Sequence, residues 1–155
     1  MQFLNYFFAS IISYMGLLIG IMLIKIAPEE QNPLRKYFEF TKNLIMILIF
    51  LFLIFYYSTN SVYIIALLIY FIFIVFIEYN LSKSQKKYII VYTALGIIFY
   101  LSSRNLNLFV MDSSLILLYG IPSASLMFNQ KEKNYAEIFL HNIGFLLVAN
   151  IAFFL

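Results

Sequence analysis

Cysteine and tryptophan are both absent from the 155-residue chain, and charge is scarce. Without cysteine there is no disulfide, no thiolate metal site and no thiol nucleophile. Without tryptophan, any aromatic belt at a membrane interface falls to the 13 tyrosines. Charged residues make up only 11% of the chain, whereas a soluble domain carries about 25% because its surface faces water. There is also no glycine-rich phosphate loop, no HExxH pair, no nucleophile elbow and no CxxC. What remains implies no cofactor and no catalytic residue set.

What is present is apolar. Hydrophobic residues reach 64%, and the mean hydropathy is +0.94. The charges cluster in short connectors between long uncharged runs, which is the pattern of a polytopic membrane protein. The first run, to Ile24, has no basic segment before it and no small-residue cleavage site before Lys25, so it is read as a retained span. From Asn43 to Ile77 no residue is charged. As one helix that run would measure about 52 Å, too long for a hydrocarbon core of about 30 Å. Ser58, Thr59, Asn60 and Ser61 divide it with turn-forming residues. The expected fold is therefore a six-transmembrane-helix bundle in a single domain, with spans at about 3–24, 42–57, 61–79, 88–102, 107–128 and 135–155.

Charge asymmetry supports that reading independently. The connectors after spans one, three and five hold Lys25, Arg35, Lys36 and Lys42, then Lys83, Lys86 and Lys87, then Lys131 and Lys133; only Arg104 lies on the other side. By the positive-inside rule, both termini lie outside. Each basic connector also leads into a tyrosine that opens the next span (Tyr37, Tyr88 and Tyr135), a weak repeat that suggests three helical hairpins in series. In the first connector, Asn32 is placed to cap a helix beginning at Pro33, giving a short amphipathic turn at the headgroups. Asn134 and Glu137 resemble a capping box at the start of span six.

The informative side chains are few. Ala9, Ser13, Gly16 and Gly20 share one face of span one, and Gly16 to Gly20 is a GxxxG. That face is expected to pack within the chain, with a homodimer contact as the sharper alternative. Asp112 lies inside span five, where an aspartate costs about 3 kcal/mol on insertion scales. By depth, Asn5, Ser113 and Asn150 lie at a similar level, suggesting an outer polar layer. Glu137 and His141 stand one turn apart in span six, beside Asn142. Asp112, Glu137, His141 and Asn150 are the candidates for an ion or proton path. Gly120 and Pro122 should loosen span five.

Three function classes fit these residues. A structural or assembly subunit of a membrane complex needs small-residue faces and little chemistry. A small ion or solute transporter would use Asp112, Glu137 and His141. An enzyme acting on a membrane lipid would need acid and base groups at one depth, and Asp112 and His141 are placed at different depths. The expected surroundings are the lipid bilayer, anionic headgroups at the basic connectors, and a membrane-protein partner or a second copy of the chain. Nucleic acid is not expected from a net charge of +3 confined to loops. The membrane is expected to be a prokaryotic cell membrane, with an organellar inner membrane as the alternative.

Overall fold

A computed structural model describes residues 2–58, 61–81, 86–128 and 135–154. It consists of α1 (Phe3–Ile26), a 3-10 turn (Pro28–Glu30), α2 (Gln31–Tyr56), α3 (Ser61–Asn80), α4 (Lys86–Ser102), α5 (Leu106–Met127), α6 (Tyr135–His141) and α7 (Gly144–Ala152). No strand occurs among the described residues. Five segments are long and apolar enough to cross a membrane: α1, α2 with its preceding turn, α3, α5, and α6 with α7. Such a set marks an integral membrane protein. α4 has 17 residues and is correspondingly shorter, about 26 Å.

Several local expectations are corrected. α2 starts at Gln31 and runs unbroken to Tyr56, so the amphipathic turn and the second span are one helix. Asn32 is not its cap. Pro28 opens a 3-10 turn that launches the helix earlier, and Pro33 then occupies the first turn, where its missing amide donor costs nothing. α5 stays continuous through Pro122. The last segment does break: the Asn142 side chain donates to its own helix at the Ile138 carbonyl (2.6 Å), Ile143 N–H bonds Leu140 rather than continuing the α pattern, and Gly144 restarts the helix as α7. Asn134 lies outside the described residues, as do Lys83, Lys131 and Lys133.

The helices do not pack chiefly with their chain neighbours, as three hairpins in series would require. The most extensive contact joins α1 to α5, followed by α2 to α5 and α4 to α7. Glycine explains the choice. In lipid there is no hydrophobic drive between helices, so close backbone approach decides which faces meet. A Cβ on Gly16 would overlap the Leu117 carbonyl of α5, and one on Gly120 would lie 2.6 Å from the Gly16 carbonyl carbon. Gly20 faces Ile121 and Ala124, and the Ser13 hydroxyl donates to the Ser113 carbonyl at 3.0 Å. These pairs advance together along both helices, so α1 and α5 run parallel. Gly96 and Gly144 make a second such contact between α4 and α7.

Tyrosine hydroxyls tie the remaining surfaces. Tyr6 donates to Ala149 O (2.8 Å), Tyr57 to Leu101 O (2.8 Å), and Tyr14 to Phe139 O. Ala149 and Leu101 belong to last helical turns, and Phe139 loses its usual donor at the α6–α7 break. The hydroxyls thus reach carbonyls at helix ends or breaks; the one at Leu101 also accepts from Arg104 N–H at 3.5 Å. Tyr70 adds a second bond to Ala94 O at 3.0 Å, pinning α3 to α4.

The glycine contacts predict a graded response. Gly16→Ala should destabilise by about 3 kcal/mol or prevent folding, because backbone cannot yield; Gly144→Ala, which meets only the Thr93 side chain at 2.7 Å, should cost about 1 kcal/mol. Thermal unfolding in detergent, followed by size-exclusion chromatography, measures the difference.

Candidate functional site

Two polar features stand out once the helices are assembled, and they lie at opposite ends of the bundle. At one end, α5 begins beside Asn105, whose side chain caps it by accepting from Asn107 and Leu108 N–H. This end carries Arg104, over the Tyr100 ring at 6.0 Å. Asp112 is fully buried here, and neither carboxylate oxygen has a hydrogen-bond partner. The Ser102 hydroxyl of α4 acts on Asp112 but is committed to Ile98 O (2.8 Å) and Phe99 O (3.3 Å).

The outer polar layer expected around Asp112 does not assemble. Asn5 is exposed, Ser113 turns its carbonyl to Ser13, and Asn150 donates to Ser10 at 3.2 Å and to Leu146 O at 2.8 Å. Further along the same face of α5, Tyr119 and Ser123 are buried, and their hydroxyls gather with that of Tyr92 from α4, whose ring lies 5.7 Å from that of Tyr119. Sequence reasoning missed Tyr92 and Tyr119, which read as interfacial or core aromatics. Their signal was position, since both fall in mid-span rather than at a span end.

Glu137 and His141 do not join Asp112. Both are exposed on α6, at the end where Lys25 covers the Tyr135 ring at 4.9 Å. Residue 112 is separated from the far end of α5 by about 22 Å of helix. With Asn142 they line a recess of about 20 Å³, room for one water. No cluster of three or more metal-ligating side chains occurs among the described residues.

The second feature sits at this basic end, between α2 and α3. Lys42 is 3% exposed and pairs with Glu78 at the end of α3. Its ammonium also lies 5.5 Å from the Tyr88 ring, and Lys87 approaches the same ring at 4.8 Å. Beside them opens a recess of about 580 Å³. Its rim carries Glu39, Lys42, Glu78 and Lys87, and its deeper wall is Met46, Ile47, Phe71 and Val75. The sequence placed Lys42 in a solvated connector. It is buried because α2 extends back past it and α3 ends against it.

Ser13, Gly16 and Gly20 are buried against α5, with Ala9 partly buried above them. No family model matches this chain, and no curated protein or solved structure matches it.

The buried pair makes a stability prediction. Lys42→Met alone should cost about 3 kcal/mol, the low end for breaking a buried ion pair, since the Glu78 side chain keeps 19% of its surface. The double change Lys42→Met with Glu78→Leu should recover most of that loss. Thermal midpoints of the three variants against the parent, in one detergent, give the comparison.

Proposed function

We propose that this chain is a structural or assembly subunit that packs against another protein within the bilayer. One observation carries the reading. In α3 only Leu67, Ile74 and Ile77 are buried among 20 residues, the sparsest packing of the five membrane-crossing segments. Its outer stripe of Ile65, Ile69, Ile72 and Phe76 is 58–64% exposed, with the spacing of three and four at which two membrane helices mesh. Single exposed apolar residues face lipid in any membrane protein; a whole helix so thinly attached to its own chain suits a partner. The α1 glycine face, buried against α5, is not available to make that contact.

The topology we propose has six spans with both termini outside. The parallel run of α1 and α5 supports it, because joining residues 43–77 into one span would turn α5 the other way. The charges support it too: Lys25, Lys42 and Lys87 gather at one end and Arg104 at the other. A prokaryotic cell membrane is the proposed location.

A second reading, a small ion or solute transporter, is favoured by one specific observation, the unpartnered and fully buried Asp112. Such a residue inside a membrane is costly and commonly marks a path. Against it, Glu137 and His141 are surface residues at the opposite end.

Purification in nanodiscs with mass spectrometry of the co-purifying material separates the two. The assembly reading predicts a stoichiometric membrane protein that photo-cross-links from position 69, and Asp112→Asn without effect on the complex. A chain that purifies alone, and whose ion flux in liposomes is abolished by Asp112→Asn with the fold intact, overturns it in favour of transport.

A further inference from the structure

The recess between α2 and α3 has the chemistry of a lipid site, and charge is the first reason. Of the two cations that line its rim, Lys42 is paired with Glu78, while the rim carboxylate of Glu39 is paired at 3.8 Å with Arg35, which lies outside the lining. Lys87 has no carboxylate within ion-pair distance among the described residues. Its ammonium is held instead over Tyr88 at 4.8 Å, on the same ring that Lys42 approaches. The lining charges balance in number, but Glu39 lies near Lys87 without forming an ion pair with it, so the Lys87 ammonium is left open to a ligand, with a second ammonium beside it. That suits an anionic oxygen group such as a phosphate.

The second reason is the change of chemistry with depth. Met46 lies about one helical turn, or 6 Å, below Lys42, and Phe71 about 10 Å below Glu78. Over that depth the wall turns wholly apolar. A free phosphate has no use for such a wall, whereas the glycerol and first chain segments of a lipid do. Ile47 on α2 is 52% exposed and Val75 on α3 is 47% exposed, so the recess is open between the two helices toward the bilayer. Its volume of about 580 Å³ falls within the range of about 300–1,000 Å³ typical of small-molecule sites. The third reason is position. The recess lies at the basic end, where headgroups meet the chain and where basic residues attract anionic lipid.

We propose that this recess binds one phosphate-bearing lipid, with its phosphate at Lys87 and Lys42 and its upper acyl chain against Met46, Ile47, Phe71 and Val75. Lys87 supplies the open ammonium. Lys42 bridges the phosphate to Glu78, so the occupied site also fastens the end of α3 to α2 and α4. This goes beyond the assembly reading and does not depend on it, because a bound lipid is compatible with a partner on the outer stripe of α3.

Native mass spectrometry of the full chain in detergent tests the proposal, using dioleoyl phosphatidate and dioleoylglycerol, which share their chains and differ in the phosphate. The expected result is a one-to-one phosphatidate adduct that outcompetes dioleoylglycerol by about tenfold or more, as one charge-assisted contact implies. Lys87→Gln should weaken it about tenfold while Lys87→Arg keeps it, both with the parent's thermal midpoint. Val75→Trp, which fills the apolar wall and leaves every charge, should also remove the adduct. Equal retention of the two lipids, indifference to Lys87→Gln, or displacement by inorganic phosphate alone would overturn the proposal. A partner protein cross-linking from inside the recess, at position 47, would overturn it as well, while leaving the assembly reading intact.

Discussion

The approach of the α1 and α5 backbones is the contact on which the rest of the structure depends. Helices in lipid gain little from burying one another's apolar side chains, since the acyl chains are equally apolar. They gain from surfaces that fit closely. Gly16, Gly20 and Gly120 remove side chains where two backbones meet. That places α5 at the centre, with α1 on one side and α2 on the other. α4 then packs on α7 through Gly96 and Gly144, and the two glycine contacts are joined by aromatic rings: Phe99 meets Tyr6, Phe109 and Phe145 within 5.5 Å.

Tyrosine does the polar work that this chain's composition denies to other residues. Backbone carbonyls left without helical donors are expensive in a bilayer, and the α6–α7 break creates one at Phe139. Tyr14 answers it, and Tyr6 and Tyr57 answer two helix ends. At the basic end the same residue type serves differently: Tyr37, Tyr88 and Tyr135, the three that open spans, each lie beneath a lysine ammonium. The weak repeat in the sequence thus corresponds to a recurrent cation–π contact rather than to repeated hairpins.

The fold was legible to the extent that hydropathy decides it. Uncharged runs and turn residues located the helices to within a few residues, except for α2, which extends some eleven residues further back than expected. Periodicity alone could not tell that a 3-10 turn from Pro28 launches the helix at Gln31, nor that Asn142 would break the last one, because both outcomes depend on local hydrogen-bond competition. The small-residue face of span one was legible and pointed to packing within the chain. The partner of that face was not, since GxxxG names no recipient. Asp112 could be singled out as a costly residue from the sequence, and Lys42 could not. A lysine next to a connector reads as solvated, and its burial is decided by where α3 happens to end. Glu137 and His141 look like a pair at one-turn spacing, yet that spacing is equally that of an outward face.

The claim that most needs testing is that α1 and α5 run parallel and meet inside one chain. The protein has no native cysteine, so Ser13→Cys with Ser113→Cys provides a clean pair for oxidative cross-linking in membranes. The account predicts a disulfide within the monomer, seen as a faster band on a non-reducing gel, with each single variant remaining monomeric. A disulfide-linked dimer from either single variant, or no cross-link from the pair, would contradict it.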